Sequence, residues 1–209
     1  MKGILQLLRL KTKPAPSDAP LDSMMFSTAF AEQGLDPGLL VPWEARAVEV
    51  GAAKFSTSQG IKLLQGLWTK DKLMSQLAPE AIARLAPFLQ FSTVAANRDV
   101  IRQDEYGNFM LVLLSGRVAI DRQQPWGERL RLAEAVPGEI LGEMSLLDSG
   151  IRFSVCTTLT PCDVAVLDAQ AMDEMLNSDP ALAANLIALL ARKLSLRLRV
   201  VSARLSEHH

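Results

Sequence analysis

Cysteine, aromatic residues and net charge are all scarce in this chain of 209 residues. Two cysteines, Cys156 and Cys162, do not make a disulfide framework, and no Cys/His spacing fits a metal site. A reducing compartment and no bound metal are expected. No apolar run approaches the ~20 residues that a membrane-spanning helix requires, so no transmembrane segment is expected and a cytoplasmic protein is the simplest outcome. With 22 basic and 23 acidic residues the net charge is −1, and nothing in that total suggests a nucleic-acid-coating protein. Nucleophile–base pairs and phosphate-loop motifs are missing too, which argues against an enzyme and against any cofactor. What is present is globular composition, 49% hydrophobic and 22% charged, in a chain long enough for one real core.

The first 60 residues read as an N-terminal arm, partly flexible. MKGILQLLRLKTK is basic and leucine-rich, a frayed terminus or a weak membrane-surface or partner-docking helix, and KPAPSDAP and LDPGLLVP are rich in breakers. Met24, Met25, Phe26, Phe30 and Trp43 need a surface to dock on. From Ile61 the spacing turns helical, through Leu64, Leu67, Trp68, Leu73, Met74 and Leu77. PEAIARLAPF then starts a helix at Pro79 and stops it at Pro87.

The period next changes to two. NFMLVLLSGRVAIDR predicts an apolar strand, a Ser115-Gly116 turn and a second strand. ERLRLAEA alternates, with Leu130 and Leu132 on one face, and Ile140-Leu141, IRFSVCTTL and CDVAVL predict further strands. Short strands at regular spacing with glycine-marked turns indicate a sandwich, barrel or roll. Asp168 suits the cap of a short helix, and Asp179-Pro180 the start of a long one. That last helix carries Leu182, Leu186, Leu190, Leu194, Leu198, Val201 and Leu205 as an apolar stripe, widened by Ile187, Leu189, Leu196 and Val200. A helix this apolar has two sides to bury, so a homodimer is expected through it.

GEMSLLDSGIRFS, residues 142–154, places one glutamate and one arginine in apolar surroundings. Isolated charges avoid such positions unless something pairs with them. Either Glu143 and Arg152 pair with each other, or both await a ligand that carries hydroxyls and a negative charge.

Three stretches in order resemble the cyclic nucleotide-binding domain, the module of bacterial catabolite activators and of the regulatory subunits of cyclic-AMP-dependent protein kinase. They are IRQDEYGNFMLVLLSGRVAI, which is similar to the first roll hairpin; VPGEILGEMSLL, to the Gly-Glu segment; and DPALAANLIALLARKLSLRLR, to the long helix. The resemblance covers about residues 61–206. It implies an α+β, mainly β fold, a double-stranded β-helix or β-roll over about residues 91–167. N-terminal helices flank the roll, and a hinge and long helix follow over about 168–206, so the domain is expected over 61–209. It also implies a ligand, cyclic AMP or a related nucleotide, whose ribose 2′-hydroxyl is taken by Glu143 and whose cyclic phosphate is taken by Arg152. Gly142 permits close approach of the backbone, and Met144 and Ser145 supply main-chain donors. Arg197 and Leu198 fall where the long helix meets the base.

Phe153 stands where a small residue usually lies against the phosphate, and alternation leaves two placements open. In one it faces the pocket. In the other, which the small Ser154 favours, Phe153 joins the core and Ser154 neighbours the phosphate. The expected role is a sensor that signals to a protein effector. The alternatives are a ligand-free interaction scaffold and a cyclic di-GMP receptor. Specific DNA binding is not expected, because the chain stops at His209, where the catabolite activators continue into a helix-turn-helix.

Overall fold

The computed structural model describes residues 24–206. The leucine-rich start and the KPAPSDAP segment lie outside them, as do His208 and His209 and the side chains of Arg204 and Leu205. Within the described residues the chain folds as a β-roll with helices before and after it, the expected class. Two helices come first, α1 (Met25–Glu32) and α2 (Trp43–Val50), then the two-residue strand β1 (Ala53–Lys54). Helix α3 (Thr57–Trp68) starts at Ser56, whose hydroxyl accepts from the Gln59 N–H at 3.5 Å, and buries Leu64 and Trp68. After α4 (Pro79–Arg84) come β2 (Gln90–Val94), β3 (Asp99–Ile101), β4 (Phe109–Leu113), β5 (Val118–Gln123), β6 (Arg129–Ala135) and β7 (Ile140–Leu141). The short α5 (Glu143–Asp148) interrupts the roll before β8 (Val155–Thr158) and β9 (Cys162–Asp168), and α6 (Ala169–Ser178) and α7 (Pro180–Ser206) close the chain.

The strands form two antiparallel sheets, one ordered β1-β2-β9-β4-β7 and the other β3-β8-β5-β6. Strand β4 reads as an unbroken apolar run because both its faces are covered. Phe109, Leu111 and Leu113 point between the sheets, among Val100, Val118, Cys156, Val164 and Val166. Met110 and Val112 point the other way, onto Leu64, Trp68, Met172 and Leu186 of the helices. Trp68 also donates its indole N–H to the Gly138 carbonyl at 3.3 Å, which ties α3 to the turn before β7. No described helix is long and apolar enough to cross a membrane.

Several local expectations change. The division expected at residue 61 falls inside α3, and the segment before it is built into the cores: Phe26 packs with the helix-side cluster and Trp43 with the cluster inside the roll. Regular strand begins at Val155, not Ile151, because Tyr106 pairs with Ile151 only as an isolated bridge. Strand β6 is an edge strand, and Leu130 and Leu132 stay 52% and 44% exposed. Asp168 and Asp179 cap as expected, accepting from the N–H groups of Ala171 and Leu182 at 2.8 and 3.2 Å. Helix α7 buries Leu182, Leu186, Leu189 and Leu190, then runs clear of the core, with Leu198 and Val201 exposed.

Helix α1 has an unusual anchor. Asp173 of α6, 4% exposed, accepts from the N–H groups of Phe26 and Ser27 at 2.9 and 2.8 Å and from the Ser27 hydroxyl at 2.7 Å. It serves as a cap supplied from a distant element, meeting two of the first-turn donors that no intrahelical carbonyl can reach. Asp173→Ala should cost about 1–2 kcal/mol, the scale of a lost cap. Amide exchange should accelerate over residues 25–32 while the roll stays protected. Unchanged protection of α1 would show that Phe26 and Phe30 hold it without the carboxylate.

Candidate functional site

The GEMSLLDSGIRFS cassette lies where β7 ends and α5 begins. The backbone of Arg152 is held by the turn before β4: its N–H donates to the Glu105 carbonyl at 2.8 Å, and its carbonyl accepts from the Asp104 N–H at 2.9 Å. From there the side chain runs inward and is only 3% exposed as a residue. Its Nη1 donates to the Gly142 carbonyl at 2.7 Å and its Nη2 to the Phe109 carbonyl at 2.6 Å. The guanidinium carbon sits 4.6 Å from the centre of the Phe109 ring, a cation–π contact.

Two glycines make this slot possible. A Cβ at Gly107 would stand 2.7 Å from Nε and Nη2, and one at Gly142 would stand 2.6 Å from Nη1. Gly142 also has φ of +77°, a conformation that costs other residues free energy. Burial pulls the Arg152 pKa down to about 10, so the group keeps its charge at neutral pH.

Glu143 opens α5 and is 5% exposed. Its Oε1 accepts from Nη1 of Arg197 on α7, whose Nη2 reaches the Ile140 carbonyl at 3.3 Å. The two charges of the cassette therefore do not pair with each other: Glu143 meets α7 and Arg152 meets main chain. Both line one cavity of about 640 Å³, bounded by α5, β5, β6, β8 and the outer part of α7. Gly142, Met144, Ser145, Phe153, Ser154 and Arg197 line it as well. Ser145 is buried and Met144 is half exposed. Leu198 does not line it and is 66% exposed, because each helical residue turns about 100° and the cavity is met by Lys193, Leu196, Arg197, Val200 and Val201.

Phe153 corrects the favoured expectation. It is 54% exposed at the cavity rim, not in the core. Residues 152–154 precede the regular strand, which begins at Val155, and there Arg152 takes the buried place while Phe153 stays at the rim. The ring is capped by Arg122, whose guanidinium carbon lies 4.2 Å from the ring centre and whose Nη1 donates to the Phe153 carbonyl. Cys156 also lines the cavity, and burial pushes its thiol up to about 12, which keeps it protonated and unreactive.

The ionic balance of the wall is uneven. Lys193 pairs with Asp71 at 3.4 Å, Arg197 with Glu143, and Glu134 with Arg117 at 2.8 Å. Glu139 accepts from the Val136 N–H at 3.0 Å. Of the three cationic side chains on the wall, Arg152 is the one that forms no ion pair with any described carboxylate. Sequence reasoning missed Gly107, Phe109 and Arg122. The glycine of the first turn was a usable sign for Gly107, whereas nothing in the sequence marks Phe109 as the plate beneath the guanidinium.

Comparison with known proteins agrees with this geometry. Residues 91–179 match the family model described as the cyclic nucleotide-binding domain. A CRP-like cAMP-activated global transcriptional regulator of Mycobacterium tuberculosis is 32% identical over 116 residues, 56% of this chain and 52% of that protein. The cyclic AMP receptor protein of Thermus thermophilus is 31% identical over 122 residues, 58% of this chain and 56% of that protein. The chain thus spans about half the length of these regulators. A crystal structure of a cyclic nucleotide-binding domain from Methylobacillus flagellatus superposes with a TM-score of 0.68 at 23% identity, covering 76% of this chain and 89% of that one. With its two-sheet roll, its Gly-Glu…Arg cassette and the matched residues 91–179, the chain carries a domain of the cyclic nucleotide-binding family.

Proposed function

We propose that this protein is a cyclic nucleotide sensor without catalytic activity, with cyclic AMP or a close relative as ligand, which signals to a protein effector through α7. The observation that carries the proposal is Arg152: buried, cationic, on a cavity wall and unmatched by a carboxylate. A buried charge is costly without a counter-charge, and a cyclic phosphodiester supplies one negative charge with two free oxygens for a planar fork. Arg197 engages only Oε1 of Glu143, so Oε2 remains as acceptor for a ribose hydroxyl. Leu132, Leu196, Val200 and Val201 offer the base an apolar wall. The contact of Arg197 with Glu143 supports a signalling route, since whatever touches Glu143 is felt by α7.

A second reading has its own support. Both terminal nitrogens of Arg152 already donate to carbonyls, Glu143 already holds a guanidinium, and Phe153 stands on the rim. Such a site also suits a scaffold that has no ligand. Isothermal titration with cyclic AMP, cyclic GMP and cyclic di-GMP decides between them. One cyclic nucleotide should bind, and heat from none of the three would leave the scaffold.

For the nucleotide that binds, Arg152→Ala should weaken binding by about 1.5–3 kcal/mol, the worth of a hydrogen bond to a charged group, and Glu143→Gln should cost less. Circular dichroism confirms that each variant is folded. Full affinity in a folded Arg152→Ala would place the phosphate elsewhere. Phe153 lacks a donor for the phosphate and crowds the rim, so Phe153→Ser should improve binding by about 1 kcal/mol at little cost in thermal stability. A weaker Phe153→Ser would show that the Arg122-capped ring helps to hold the ligand. We also propose a homodimer through α7, supported by the exposed Leu198 and Val201 on its outer half. Sedimentation should show a dimer at micromolar concentration that Leu198→Lys dissociates, and a monomeric wild type would refute it.

A further inference from the structure

We infer that helix α2 is a positioning element for Arg152, acting through Trp43 and Arg46, so that the phosphate site extends beyond the roll into the chain before it. The inference deepens the nucleotide-sensor reading and rests on it for the ligand, although not for the contacts.

Two routes run from α2 to the arginine. The first is aromatic. Trp43, 1% exposed, meets the Phe109 ring edge-on, with centroids 5.5 Å apart and planes at 65°. The same Phe109 ring lies beneath the Arg152 guanidinium, and the Phe109 carbonyl accepts from its Nη2. Edge-on packing fixes the tilt of the lower ring, and the tilt of that ring sets the plane on which the guanidinium rests. The second route is ionic. Arg46, 2% exposed, pairs with both Glu49 and Glu105. The carbonyl of Glu105 is the acceptor for the Arg152 N–H. Arg102 joins the cluster from the exposed side through Glu49 and, at 3.9 Å, Glu105.

The backbone repeats the pattern. The Val41 N–H donates to the Tyr106 carbonyl at 2.9 Å, and Leu40 bridges Tyr106, which in turn bridges Ile151. Residues 40–46, 104–106 and 151–152 are therefore three successive layers, with the arginine in the last.

Helix α2 precedes the matched residues 91–179, so the family match alone does not include it. Its chemistry is more than that of a cover. A surface helix that only shields a core has no need to sink a guanidinium to 2% exposure, where its Nε is buried without a described partner. Burying a charge at that cost makes sense if the carboxylate it holds must not move. Glu105 is on the turn that carries both the main-chain grip on Arg152 and, two residues on, the Gly107 against which its Nε packs. A shift of that turn would alter the slot at Gly107 and at the Arg152 backbone together.

Two measurements on the full chain test this. The first needs no ligand: the ¹⁵N-detected Nε–H signal of Arg152, assigned by its loss in Arg152→Lys, should exchange slowly in the wild type. Arg46→Met, which removes the buried charge and leaves Glu105 to Arg102, and Trp43→Leu should each speed that exchange about tenfold, the scale of coupling between residues in contact. Trp43→Phe, which keeps a ring against Phe109, should restore protection. Ile82→Ala in α4, a destabilising change in the other core, should leave it slow.

The second measurement is affinity for the cyclic nucleotide that binds. Arg46→Met should lower it about tenfold in the wild type and not at all on top of Arg152→Lys, the non-additivity expected when one residue acts through another. Slow exchange that persists in both Arg46→Met and Trp43→Leu overturns the inference, as does an Arg46→Met loss that adds fully to Arg152→Lys. A wild type that binds no cyclic nucleotide defeats the sensor reading, and the exchange measurement then decides this inference by itself.

Discussion

A guanidinium that is 3% exposed and still charged has to be solvated by the protein itself, and much of this structure is arranged to do that. The solvation of Arg152 comes from two carbonyl dipoles and an aromatic face, not from a carboxylate. Carbonyls aimed at a cation cost nothing to reorganise, and they leave the net charge of the slot positive. Each part of the fold nearby follows from that requirement. Strand β4 must begin at Phe109 so that its carbonyl and ring both face the slot, and β7 must end in a left-handed glycine so that the Gly142 carbonyl can turn inward. The turn before β4 must carry a glycine because a side chain there would occupy the guanidinium's place.

The roll was legible in the sequence because its signals are local and redundant. Glycine-marked turns, an apolar run for β4 and alternation in its neighbours all agree, and the two aspartate caps around α6 are read from a few residues each. The cassette was legible for the same reason: Gly142, Glu143 and Arg152 lie within eleven residues of one another, and their chemistry is unusual for a roll interior. What stayed hidden depends on distant partners. Helices α1 and α2 have eight residues each, too short for periodicity to say which side they bury, and Asp173 lies 146 residues from Ser27, to which it bonds. The pairing of Glu143 with Arg197 likewise spans 54 residues.

Phe153 shows a different kind of limit. Alternation predicts that neighbours point to opposite sides but not which of them points in. A phenylalanine beside a serine argued for Phe153 inside. The structure puts it outside because the inward place belongs to Arg152, and Arg122 covers the ring that solvent would otherwise meet. Strand β6 misleads in a similar way, since its alternating leucines suggest a covered face, whereas the strand ends the sheet and Leu132 borders the cavity.

The bond between Glu143 and Arg197 gives α7 a fulcrum. From Arg197 the helix continues for nine residues to Ser206, a lever arm of about 13 Å at 1.5 Å per residue. The root of the helix is clamped by Leu182, Leu186 and Leu190, while Leu198, Val200 and Val201 on the arm are exposed. A tilt at the fulcrum too small to disturb the roll therefore becomes a displacement of ångström size at the tip. The relation is reciprocal, because free-energy coupling between two sites has no preferred direction. A partner that gripped the far end of α7 would therefore change how firmly its guanidinium rests on the carboxylate in the pocket.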